Sequence, residues 1–137
     1  MEHTSAGFRE IEHTADWQIN VWAPDLTGLL EQAARGLYSL AGARLEEGPR
    51  RLRVLEIKGE DAETLLVRFL SELLYIAEQE NLGFDEYDFN LRDKTLTAQL
   101  SGAQLASWSK EIKAVTYHNI KVQSSLQGLE VNIVFDV

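Results

Sequence analysis

Apolar residues recur along this chain with two periods. Leu26, Leu29, Leu30, Ala33, Ala34, Leu37, Leu40 and Ala41 return every three or four positions, one continuous face of a helix. Pro24 and Asp25 open it, because proline fixes an extended entry and an aspartate can cap the first turn. Gly42 is a suitable stop. Gly28 and Gly36 weaken this helix by about 1 kcal/mol each relative to alanine, a cost that close packing on a sheet explains. A second helix follows Gly59-Glu60-Asp61, with Asp61 as its cap. Its stripe runs from Ala62 through Leu65, Leu66, Phe69, Leu70, Leu73 and Leu74 to Ile76 and Ala77. Glu78 and Glu80 stand at its C-terminal end, where acids oppose the helix dipole by about a few tenths of a kcal/mol each. Asn81-Leu82-Gly83 ends it.

Elsewhere the period is two. After a terminus expected to fray (residues 1–7), Phe8 to His13 reads as a strand. Trp17, Ile19, Val21 and Ala23 then alternate with Gln18, Asn20 and Trp22, the pattern of a half-buried strand. Thr14-Ala15-Asp16 falls at the junction. In Arg51 to Gly59 the apolar set moves from Leu52 and Val54 to Leu55 and Ile57, a change of phase that predicts a bulge. Tyr87, Phe89 and Leu91, then Leu96, Ala98 and Leu100, predict a hairpin about Asp93-Lys94 with one wet face. Ser101 to Ser109 reads as a loop carrying Trp108, and Ile112 to Val122 as a strand. Gln123 to Gly128 joins it to a last strand through Leu129, Val131, Ile133, Phe135 and Val137. The order predicts an α+β two-layer sandwich, two helices packed on a largely antiparallel sheet. No linker divides it, so residues 1–137 are expected to form one domain.

Composition narrows the function. The 45% apolar and 26% charged fractions are ordinary for a globular protein, and no run approaches the roughly 18–20 apolar residues of a membrane span. The N-terminus has neither the basic start nor the apolar run of a signal peptide. Cysteine is absent, which removes disulfides, thiolate metal sites and cysteine nucleophiles and fits a cytoplasmic protein. With 22 acidic against 13 basic residues the formal charge is −9. A field of that sign repels nucleic-acid phosphates and attracts basic surfaces, so no direct nucleic-acid binding is expected. The basic run Arg50-Arg51-Leu52-Arg53 goes against this trend. It reads as a solvated or edge-protecting strand, with a phosphate-binding or docking patch as the alternative.

The terminal strand carries the candidate chemistry. Its period places Glu130, Asn132, Val134 and Asp136 opposite the core-facing set. A strand still in pattern at its last residue holds its terminal carboxylate beside the Asp136 side chain. Two such groups repel and hold protons more tightly unless a cation intervenes; Asp16 would add a third. Hard oxygen donors suit Ca²⁺ or Mg²⁺, and His13 and His118 keep zinc open. On the residues alone the commoner arrangement is Asp16 capping a turn and Asp136 solvated. His13 alone is more often structural than catalytic. Lys113, before Ala114 to His118, is either solvated or a contact to an acidic partner or phosphate, and parity puts Tyr117 on its face. There is no nucleophile elbow, phosphate-binding glycine loop or acid–base pair of recognisable spacing.

Three segments together resemble the archease family: Glu12-His13-Thr14-Ala15-Asp16, Ile112-Lys113-Ala114-Val115-Thr116-Tyr117-His118, and Val134-Phe135-Asp136-Val137. The resemblance runs from about Phe8 onward, and Gly28 and Gly36 depart from it away from these motifs. It implies a small α+β protein cofactor of the GTP-dependent RNA-splicing ligase, which joins 2′,3′-cyclic phosphate or 3′-phosphate ends to 5′-hydroxyl ends. Such a cofactor speeds guanylylation of the ligase's own histidine and allows multiple turnover, without being an enzyme itself. It also implies a divalent cation on Asp16, Asp136 and Val137, with Ca²⁺ first and Mg²⁺, Mn²⁺ or Zn²⁺ as alternatives. Lys113 matches a position that supports ligase activation, and His13 lies in the first motif. The alternatives are a general chaperone or adaptor for RNA-modifying enzymes such as a tRNA methyltransferase, working through an apolar patch that includes Trp22 or Trp108, and a small metal-dependent hydrolase.

Overall fold

The computed structural model describes residues 5–12 and 16–137, Glu12 by its backbone alone. Among them the elements run β1 (Gly7–Glu12), β2 (Trp17–Ala23), α1 (Leu26–Ala41), β3 (Arg44–Leu45), β4 (Arg51–Lys58), α2 (Ala62–Glu80), β5 (Leu82–Arg92), β6 (Thr95–Ser107), β7 (Ala114–Val115), β8 (Gln123–Ser125) and β9 (Gly128–Asp136). The fold is α+β, with every strand pairing antiparallel. The strands divide between two sheets. One runs β1-β2-β9, with β7 and β8 on the side of β9 away from β2; in the other, β3, β4 and β5 all pair with β6. The first helix rests on β1, β2 and β9 and reaches β5, while α2 lies against β4, β5 and β7. The helices thus join both sheets through one apolar cluster that includes Ile19, Leu37, Phe69, Leu73, Leu100 and Phe135.

Helix boundaries follow the local chemistry. The Gly28 amide donates to Asp25 Oδ1 at 2.8 Å, and the Thr64 amide to Asp61 Oδ1 at 2.8 Å. Both helices end in a left-handed residue, Gly42 and Asn81. Gly36 is close-packed as expected, since a Cβ there would sit 2.8 Å from Ile19 Cδ1.

Four strand expectations are corrected. Residues 1–4 of the expected frayed terminus lie outside the described residues, and Gly7 already opens β1. The fourth strand has no bulge: its pairing with β6 is unbroken from Arg51↔Gly102 to Lys58↔Thr95. The change of phase means instead that the strand is apolar on both faces. Leu55 and Ile57 turn to the core, while Leu52 and Val54 stand 79% and 63% exposed. Ser101 to Ser107 is not loop but the end of β6. Its alternation breaks at Gly102, where the Gly83 carbonyl of β5 comes so close that a Cβ would overlap it, next to a register shift at Asp85. Finally, the strand expected over Ile112 to Val122 keeps only Ala114–Val115. The Thr116 hydroxyl donates to Val134 O and accepts from the His118 amide, starting a turn that closes from Ile120 N–H to Tyr117 O. Side-chain hydrogen bonds of this kind compete with the ladder.

Two arginines of the basic run at the start of β4 are paired with acids of the same chain. Arg50 pairs with Asp85 and Glu86, and Arg53 with Glu80.

Candidate functional site

The site is built by β9, which lies between β2 and β7. Antiparallel register with β2 runs from Ala23↔Leu129 to Trp17↔Phe135. Continued by one residue, it sets Asp16 level with Asp136, and residues opposite each other share a face. That is the face away from buried Phe135 and Ile133. Asp136 is exposed and Asp16 half-buried. On the other side Ala114 pairs with Asp136, and the Lys113 amide donates to the Asp136 carbonyl at 2.7 Å. Lys113 is therefore level with Val137, whose side chain packs against the core. The strand carrying Asp136 is held by β2 as far as Phe135 and by β7 as far as Asp136.

Two further contacts stiffen the region. On the Asp16 face, the buried Asn20 amide donates to Asn132 Oδ1 at 2.8 Å and Glu130 Oε2 at 3.0 Å, locking β2 to β9. Inward, Lys110 Nζ lies 3.7 Å from the ring centroid of Trp17, a cation–π contact that fastens segment 108–113 to the start of β2. The Ser109 and Lys110 amides both donate to Ala41 O at the end of α1 (2.8 and 3.0 Å).

The geometry therefore brings together Asp16, Asp136, Val137 and the Lys113 backbone. By parity the Lys113 side chain shares a face with buried Val115 rather than with the two aspartates, and the residue lines a cleft against α2. His13 lies outside the described residues, as do Thr14 and Ala15. His118 stands on the turn beyond Thr116, its Nε2 3.2 Å from Asn119 Nδ2. By then the ladder is already back at Val134, two residues short of Asp136. Lys110 was not legible in the sequence, because nothing there shows that it lies over Trp17. Trp22 is only 9% exposed and Trp108 is half-buried edge-on to Tyr38, 6.2 Å between centroids. Neither tryptophan forms the exposed apolar patch expected of them; Leu52 and Val54 are exposed instead.

The donor chemistry suits a hard cation. Continued by one residue, the β2–β9 register sets two aspartates level at the end of paired strands, next in sequence to the main-chain oxygens of Val137, and oxygen-only sets favour Ca²⁺ or Mg²⁺. Among the described residues no three His, Asp or Glu side chains converge.

A model of the archease protein family matches residues 8–137. The chain belongs to the archease family. It is 32% identical over 126 residues to protein archease of Pyrococcus abyssi, covering 85% of this chain and 88% of that one. To the Methanosarcina barkeri protein it is 28% identical over 139 residues, covering 95% of each. Two solved structures share the fold. One is a Thermotoga maritima protein described as an archease and possible chaperone, with TM-score 0.71, 22% identity and coverage of 94% of this chain and 96% of that one. The other is protein 1598 of Methanobacterium thermoautotrophicum, with TM-score 0.71, 23% identity and coverage of 96% and 99%. Among the described residues no helix is long and apolar enough to cross a membrane.

Proposed function

We propose that this archease-family protein is a non-enzymatic activator of the GTP-dependent RNA-splicing ligase, promoting guanylylation of the ligase and repeated turnover in the cytoplasm. The observation that carries the reading is the register that sets Asp16 level with Asp136 at the end of β9, with Lys113 tied to the same residue. Asp16, Asp136 and Val137 hold a divalent cation, calcium first, which relieves their mutual repulsion and offers positive charge to anionic groups in the partner's site. The chain's own part is rigidity. With β9 fixed by β2 and β7, the tip reaches its partner without an ordering cost. A charge of −9 steers such a tip toward a basic RNA-handling surface while leaving RNA to the ligase.

The test is RNA ligation with limiting ligase from the same host, excess RNA and GTP, with and without this protein. Wild type is expected to convert a single round into many. Asp136→Ala and deletion of Val137 are expected to lose that effect while keeping the fold. No stimulation by wild type would overturn the reading.

A second reading is a chaperone or adaptor for RNA-modifying enzymes such as a tRNA methyltransferase. It is favoured by Leu52 and Val54 on the open face of the second sheet and by the description of the Thermotoga relative. Suppression of client aggregation that survives Asp136→Ala and is lost in Leu52→Ser/Val54→Ser would support it.

A further inference from the structure

Between the last turns of α2 and segment 108–113 lies a cleft of about 670 Å³. Leu74, Ala77, Trp108 and Ile112 give it an apolar lining, and Glu78, Glu111 and Lys113 add charge. Glu78 is in the wrong place for helix stability. The last turn of α2 has no basic residue, so an acid there adds to the negative end of the dipole. Nearby Glu80 is neutralised by Arg53. Among the described residues neither Glu78 nor Glu111 has an ion-pair partner. Local rules are broken where a surface is used, and here two acids without an ion-pair partner flank an apolar hollow that Lys113 also lines.

The cleft is also continuous with the tip. Lys113 lines it and donates its amide to Asp136 O. Its wall is already ordered: the Ser109 and Lys110 amides are fixed on Ala41 O, Lys110 lies over Trp17, and Trp108 packs on Tyr38. We propose that this cleft docks a segment of the partner protein carrying a large apolar side chain next to an arginine or lysine, an inference that rests on the activator reading. The apolar group fills the hollow, the cation relieves Glu78 and Glu111 together with the open end of α2, and the tip is thereby placed. Cleft and tip then divide the work. The cleft sets affinity, and Asp16 and Asp136 set what the bound protein does.

The experiment uses the full chain and the ligase of its host, with affinity read by biolayer interferometry at low and moderate salt and ligation turnover read in parallel. Glu78→Lys/Glu111→Lys is expected to weaken binding about tenfold at low salt and to flatten its salt dependence. Turnover should still reach the wild-type plateau at higher protein concentration. Ala77→Trp, which fills the hollow, should weaken binding at both salt concentrations. Asp136→Ala should bind normally and fail to activate. The two acids are exposed, so the double variant carries the test even if Ala77→Trp does not fold. Wild-type binding with unchanged affinity in the double variant overturns the proposal alone. Absence of wild-type binding and activation overturns the activator reading and this inference with it. A concentration-dependent increase in mass of the protein by itself, abolished by the double variant, would assign the cleft to a second copy and also overturn it.

Discussion

The C-terminal ends of α1 and α2 share one backbone device and are finished differently. Each closes on a left-handed residue, Gly42 or Asn81. At α1 main chain takes up three of the last four carbonyls: Ser39 O by Gly42, Tyr38 O by Ala43, and Ala41 O by both Ser109 and Lys110. At α2 the Asn81 amide returns to Ala77 O and Gln104 Nε2 donates to Glu80 O. The remaining surface is acidic, with Glu78 facing a cleft and Glu80 tied to Arg53. One segment, 108–113, seals the first end with its amides and leaves the second open with its side chains. A helix end that only has to be stable is closed by backbone, where each bond satisfies an otherwise orphaned carbonyl. A helix end kept acidic and open gives up stability, in keeping with the docking role proposed for it.

The comparison is broken most severely at the sealed end. Gly42 has φ +67, and a Cβ there would lie 2.9 Å from Ser109 Cβ and Oγ. Gly42→Ala should cost about 2 kcal/mol, from the left-handed conformation and the displaced segment together. Denaturant unfolding measures this directly, and a loss under half a kcal/mol would mean that segment 108–113 is not fastened to α1 as described.

A smaller effect separates the two ends by pH. The Arg53 guanidinium, hydrogen-bonded to Glu80, holds that carboxyl below the usual carboxylate range. A carboxylate whose pKa is depressed in the fold contributes stability above its ordinary value, roughly pH 4.3, and loses it as pH falls through the lowered value. Acidification should therefore loosen Arg53 and the last turn of α2 first. The amides of Ala43, Ser109 and Lys110, bonded to carbonyls, should not follow until global unfolding. An NMR pH titration reading both sets shows whether they part; simultaneous loss would deny the distinction.

The smallest effect is the most telling. Glu78→Lys alone should stabilise the protein by about 0.3–0.5 kcal/mol by matching the dipole, raising Tm by about one to two degrees. Calorimetry on that variant gives the sign, and destabilisation would mean that Glu78 already has a structural role.

Sequence alone determined both helices, their aspartate caps at 25 and 61, their stops at Gly42 and at Asn81-Leu82-Gly83, and the hairpin at Asp93-Lys94. Each is a local matter: a side chain meets an amide three residues away, or a stripe repeats every turn. It also placed Asp136 opposite the core-facing set of the last strand, since parity is fixed by the pleat. What it could not supply was anything decided by a partner distant in the chain. The division of strands between two sheets, the two-faced character of β4, the run of β6 past Gly102 under the Gly83 carbonyl, and the early end of β7 at Thr116 all depend on which backbone lies alongside. The candidate site divides in the same way. The carboxylates were visible as residue types, and their facing positions are a property of the β2–β9 register. Lys113 at the cleft, Lys110 over Trp17 and the acids around the hollow come from segments separated by up to about ninety residues, whose proximity is set by packing of the helices against the sheets.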